Sequence, residues 1–117
     1  MIQPVATQVG VITGASQGIG RKTAELFDAR GWSLVLIDLQ QIDLTGYKNA
    51  IAFTGDITNE NFVSITAVES FKKFGRVDAL VNNAGISNIE SALETSAATY
   101  RKVLEVNLVA PFLLCKA

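Results

Sequence analysis

A chain of 117 residues is the length of one domain. Hydrophobic residues make up 49% and charged residues 18%, which suits a packed core and argues against disorder. The net charge of −1 offers no electrostatic grip on nucleic acid or an anionic membrane, no apolar run is long enough to span a bilayer, and the lack of any histidine removes His-based triads and most zinc sites, so no metal is expected.

The opening "MIQPVATQ" has no basic region followed by a long apolar stretch, so it does not read as a secretory signal. A β-rich run over Gln8 to Thr13 comes next and ends at Gly14. Its apolar residues fall on both faces, as in a parallel strand covered on both sides. The stretch "QGIGRKTAELFDARG" reads as a helix with Ile19, Thr23, Leu26 and Phe27 on one face and Gly31 in the left-handed position after its end. "SLVLIDL" is a second strand. A short connection, "QQIDLTGYK", leads to a third, "NAIAFTGD". The connection is too short for a full helix, which leaves that sheet edge thinly covered. Thr58 is placed to cap the next helix, in which Val63, Ala67, Phe71 and Phe74 share a stripe and Gly75 closes the end. "VDALVNNAG" is a fourth strand ending in a turn, and a last helix runs from about Ser96 to the end. Alternating strands and helices imply an α/β fold with a parallel sheet and right-handed crossovers. The lone Cys115 forms no disulfide within the chain, which fits a reducing, cytoplasmic setting.

The first strand and helix are joined by "TGASQGIG", with glycines at 14, 18 and 20. Gly14 permits the sharp turn off the strand. Gly18 lets a pyrophosphate approach the backbone, and Gly20 lets the helix pack on the sheet. The helix N-terminus offers unpaired N–H groups to the phosphates. Three glycines alone would also suit an ordinary βα turn. Eighteen positions after Gly20, Asp38 ends the second strand, where a dinucleotide fold places the carboxylate that bonds the adenine ribose hydroxyls. The competing role for Asp38 is that of a plain strand-end turn residue. The carboxylate would repel a 2′-phosphate, and no Arg or Lys lies in "ASQGIG" or directly after Asp38, so NAD is expected over NADP.

Five blocks then stand in order: "TGASQGIG", Asp38, "GDIT" (Gly55 to Thr58), "NNAG" (Asn82 to Gly85) and Asn107 in "VNL". In this the chain resembles the short-chain dehydrogenase/reductase family. The resemblance implies a Rossmann-like sheet of strand order 3-2-1-4 with flanking helices, and hydride transfer between a nicotinamide and an alcohol or carbonyl. It implies cofactor contacts at Gly14, Ser16, Gln17, Gly18, Ile19 and Gly20, the ribose role of Asp38, adenine-bordering roles for Asp56 and Ile57, and a lining and bracing role for Asn83, Ala84 and Gly85. Turn-forming roles for Asp56, Asn82 and Asn83 are the local alternatives. The family's Tyr-x-x-x-Lys is not in this chain, since Tyr47 is followed four residues on by Ile51 and Tyr100 by Leu104. Residues 1–117 are therefore expected to be a dinucleotide-binding domain, incomplete relative to the family and inactive alone. The alternative is a nucleotide-binding or interaction module without catalysis. Pro111 lacks the N–H that an α-helix would send to the Asn107 carbonyl. It should bend the helix there, and the resemblance gives that oxygen a catalytic part in holding a proton-relay water. A plain packing kink would look the same. An apolar edge strand and a last helix carrying Val103, Val106, Leu113 and Leu114 on more than one side imply a homo-oligomer.

Overall fold

The computed structural model describes residues 6–117, and the opening stretch weighed above as a leader lies mostly outside them. The elements are β1 (Val9–Thr13), α1 (Gly18–Ala29), β2 (Ser33–Asp38), β3 (Ala50–Thr54), α2 (Glu60–Phe74), β4 (Ala79–Val81), α3 (Ala97–Leu104), a π-helical turn (Glu105–Val109) and α4 (Ala110–Lys116). The four strands form one parallel sheet in the order β3-β2-β1-β4, the order the sequence implied.

β1 and β2 occupy the centre and are buried on both faces, so their side chains divide by parity. Val9, Val11, Val35 and Ile37 face α2 and α4, where Ile57, Val63 and Ala110 complete the core. Ile12, Leu34 and Leu36 face the other side, where Ala15, Ala24 and Ile42 meet them. Each such aliphatic side chain contributes roughly 1.5–3 kcal/mol by leaving water.

The connection over residues 39–49 forms no helix, but it does not leave its edge bare. Ile42 is buried against Leu34 and Leu36, with Leu44 and Tyr47 packed beside it. Contacts tie the loop to α1: the Lys48 N–H donates to Asp28 Oδ1 at 2.9 Å, and the Arg21 guanidinium donates to the Asp43 carbonyl at 3.4 Å and lies 5.8 Å from the Tyr47 ring centre. A loop carrying apolar side chains at its turns replaces the missing helix.

Two helix faces differ from those the periodicity outlines. α1 buries Gly20 and Ala24 and packs Phe27, whereas Ile19 and Leu26 point to solvent. The small residues win because α1 lies close on the β1–β2 surface, where Gly10 already leaves only room for the Phe27 and Trp32 rings. α2 buries Val63, Thr66 and Ser70 and packs Phe74, while Phe71 is exposed. Its cap also differs. Thr58 spends its N–H and hydroxyl on Asp56 Oδ1 at 2.9 and 2.7 Å, so Asn59 caps instead, its Oδ1 accepting from Phe62 N at 3.0 Å. Gly31 (φ 83°) and Gly75 (φ 74°) close α1 and α2 in the left-handed region as expected.

The last helix is interrupted rather than only bent. Between α3 and α4 the ladder shifts register, and the Ala110 N–H donates to the Glu105 carbonyl five residues back. A π turn directly before Pro111 is the local adjustment to a missing donor.

A candidate dinucleotide-binding crevice

A crevice of about 520 Å³ opens at the C-terminal ends of β1, β2 and β4, a volume typical of small-molecule sites. Gly14, Gln17, Gly18 and Ile19 wall it on one side, Asp38 at the end of β2, and Asp56, Ile57, Asn83, Ala84 and Gly85 on the other. Strands order these residues because parallel strands deliver all their C-terminal loops to one edge. Another depression, of about 560 Å³, is formed by Asn88, Glu90, Thr95, Ser96 and Tyr100; the N-cap of α3, Ser96, lines it, but no glycine loop does.

The glycine loop has separate local requirements. Gly14 (φ 66°) turns the chain off β1, and a Cβ there would come within 2.8 Å of Asn83 Nδ2. Gly18 has φ 60° and nothing within 4 Å of where a Cβ would stand, so that side of the loop is open to the crevice. Gly20 lies beneath the loop. A Cβ on it would overlap the Gly14 carbonyl and come within 2.6 Å of Asn83 Nδ2, so its job is close packing and it does not line the crevice.

Asp38 anchors the loop as well as closing the crevice. Its Oδ2 accepts from the Ser16 N–H at 3.0 Å and its Oδ1 from the Gln40 N–H at 3.0 Å. Partial burial works to raise its pKa, but the N–H donors of Gln40 and Ser16 outweigh it and hold the carboxyl below its ordinary value. Ser16 thus acts behind the wall. Its own Oγ is buried and has no hydrogen-bond partner among the described residues. A buried orphan hydroxyl at a glycine turn, an open face at Gly18 and a free helix N-terminus together fit the hydroxyl- and phosphate-rich part of a dinucleotide.

The "NNAG" turn braces this loop across some 70 residues of sequence. The Asn83 and Ala84 N–H groups both donate to Thr13 Oγ1, at 3.1 and 3.0 Å. Asn83 Nδ2 donates to the carbonyls of Thr13 and Gly14, at 3.1 and 3.3 Å. Asn82 turns the other way, its amide 3.7 Å from Cys115 Sγ on α4. Asp56 is held below its ordinary pKa by the Thr58 hydroxyl and N–H, and Ile57 borders the crevice while its side chain sits in the sheet core.

Asn107 does not line the crevice. From the π turn its Oδ1 accepts from the Ile86 N–H at 2.8 Å and its Nδ2 donates to the Ile86 carbonyl at 2.7 Å. Ile86 is a wall residue, so Asn107 fixes the wall from behind.

Six lining residues escape a motif-based reading: Ile37, Leu39, Gln40, Ile86, Lys102 and Val106. Leu39 and Gln40 simply follow Asp38. Lys102 and Val106 are four apart and so share a helix face, a spacing that was available in the sequence but had no motif to single it out.

The known proteins agree with this geometry. A family model described as short chain dehydrogenase matches residues 8–117. An NAD-dependent glycerol dehydrogenase from Listeria innocua is 32% identical over 117 residues, covering 96% of this chain and 46% of the relative. A metagenomic short-chain oxidoreductase solved with NADP is 30% identical at a TM-score of 0.86, covering 94% of this chain and 54% of that one. A 3-ketoacyl-(acyl-carrier-protein) reductase from Brucella melitensis solved with NADH is 30% identical at a TM-score of 0.88, covering 93% of this chain and 48% of that one. The chain spans about half the length of such relatives. With its parallel β3-β2-β1-β4 sheet and its glycine loop braced by the "NNAG" turn, this chain belongs to the short chain dehydrogenase family.

Proposed function

We propose that this chain forms the cofactor-binding half of an oxidoreductase that transfers a hydride between a nicotinamide dinucleotide and an alcohol or carbonyl substrate. The observation that carries the reading is the loop at Gly18, left-handed and open to a crevice that ends on the Asp38 carboxylate. When bound, the nicotinamide supplies the hydride donor or acceptor. The chain's own residues bind and orient: the α1 N-terminus faces the phosphates, Asp38 takes the adenosine ribose, and Asp56, Ile57 and Asn83 to Gly85 border the base and adenosine side. NAD is preferred over NADP, because Asp38 is held ionised and no basic side chain of the glycine loop faces it. The solved relatives bind one or the other. The Asn107 carbonyl, denied its α-helical donor by Pro111, serves as acceptor for a relay water.

The homo-oligomer has structural support in α3 and α4. Val103, Val106, Leu113 and Leu114 turn partly inward, leaving Tyr100, Leu104, Leu108 and Phe112 as an outward stripe at a spacing of four. Among the described residues no helix is long and apolar enough to cross a membrane. The exposed free thiol at Cys115 supports a reducing, cytoplasmic setting.

The test is an NADH titration followed by Trp32 fluorescence, with a hydride-transfer assay on the same sample. Saturable binding supports the reading, and no binding at millimolar NADH refutes it. Binding without turnover is expected for this chain alone and is also what a non-catalytic nucleotide module would give. Turnover restored by a polypeptide supplying the Tyr-x-x-x-Lys element distinguishes the enzyme.

A further inference from the structure

We propose that Lys102 is an affinity-determining residue of the crevice, the cation that lets a site walled by two carboxylates accept an anionic dinucleotide. The inference rests on the dinucleotide reading and adds a residue to it. Lining residues Asp38 and Asp56 each bring a negative charge, and Lys102 is the one basic side chain among the described residues that line the crevice. Arg21, in the first turn of α1, does not line the crevice and is engaged with Glu25, the Asp43 carbonyl and the Tyr47 ring.

The placement of Lys102 follows from α3. Val106, one turn on, brings the same face to the crevice, and the Lys102 ammonium reaches Asp56 Oδ2 at 3.8 Å. Asp56 Oδ1 is already saturated by the Thr58 N–H and hydroxyl, so Oδ2 is its free oxygen. At that separation the pair is an ion pair without a hydrogen bond, and both side chains are about half exposed, 56% for Lys102 and 44% for Asp56. Such a pair is worth little to stability. The ammonium can therefore turn toward a phosphate without breaking a hydrogen bond, while still offsetting the Asp56 charge. A cation there also lessens the repulsion that the Asp38 and Asp56 carboxylates impose on an approaching anion.

The test compares NADH, ADP and adenosine binding to the unsubstituted chain and to Lys102→Met, Lys102→Arg and Lys102→Glu, at low and high salt. Lys102→Met should weaken NADH and ADP about three- to tenfold at about 20 mM salt, the scale on which one unit charge acts through a wet crevice. The loss should shrink to under about twofold at about 0.5 M salt, where the screening length falls below about 5 Å. Adenosine, which carries no charge, should bind equally to both. Lys102→Arg should retain affinity, and Lys102→Glu should lose more than Lys102→Met. Equal affinity of Lys102→Met and the unsubstituted chain for ADP at low salt overturns the inference. So does an equal loss for adenosine and ADP, the pattern of a merely structural role. No binding of any of these by the unsubstituted chain overturns the dinucleotide reading and this inference with it.

Discussion

Gly18 and Gly20 stand two residues apart in one loop, and their replacement by alanine should fail in different ways. A Cβ at Gly20 would overlap the Gly14 carbonyl and stand 2.6 Å from Asn83 Nδ2 and 2.7 Å from the Gly14 carbonyl carbon. The obstacles are backbone and a side chain already committed to two hydrogen bonds, so neither yields cheaply. Overpacking of this kind costs about 1–3 kcal/mol. Losing the two Asn83 bonds adds about 1 kcal/mol each. Better helix propensity returns under about 1 kcal/mol in a first turn. Gly20→Ala should therefore cost about 3 kcal/mol, against a total stability of about 5–15 kcal/mol for a domain. Gly18→Ala meets nothing within 4 Å and suffers only its left-handed backbone, φ 60°, a cost of about 1–2 kcal/mol. Urea unfolding followed by Trp32, whose ring packs edge-on against Phe27 at 4.8 Å, reads both. NADH titration of the same samples should show Gly18→Ala losing about tenfold or more in affinity while still folded, because the new methyl stands where the ligand approaches. A Gly20→Ala cost below about 1 kcal/mol, or a Gly18→Ala cost exceeding it, would refute the division of labour.

Asn107→Ala removes both bonds to Ile86 and should cost about 1–2 kcal/mol, with faster hydrogen exchange at the Ile86 amide as its local signature. Asp38→Ala takes the acceptor from the Ser16 and Gln40 N–H groups; NADPH should then bind as well as NADH, and an unchanged ratio would count against the cofactor preference. Asp38 and Asp56 both have depressed pKa values in the folded state, so their stabilisation is complete above the unfolded carboxylate value of about 3.9 and is lost as pH falls through the folded values. The urea midpoint should hold steady down to about pH 5 and drop below about pH 4, less steeply in Asp38→Asn. Leu108→Lys with Phe112→Lys should lower the mass seen by light scattering at micromolar protein if the exposed stripe joins subunits; an unchanged mass would remove that face from consideration.

The sequence by itself determined the elements and one end of the site. Doubly apolar runs made β1 and β2 central, Gly31 and Gly75 ended their helices in the one backbone region that favours glycine, and the loop from Gly14 to Gly20 with Asp38 marked the ligand edge. These are local signals, carried by neighbours in the chain. The tertiary structure decided the rest because competing local choices are settled by distant partners. Thr58 and Asn59 could each cap α2, and the Asp56 carboxylate, by taking the Thr58 hydroxyl, settled it. Ile19 and Ala24 could each have faced inward on α1, and the close approach of the helix to the sheet admitted only the small one. The brace of Asn83 on Thr13 and Gly14 and the grip of Asn107 on Ile86 join segments about 70 and 21 residues apart, and no periodicity encodes which carbonyl an amide will find. Lys102 needed both: the helix set its face, and only the fold of the β3–α2 loop put Asp56 opposite it.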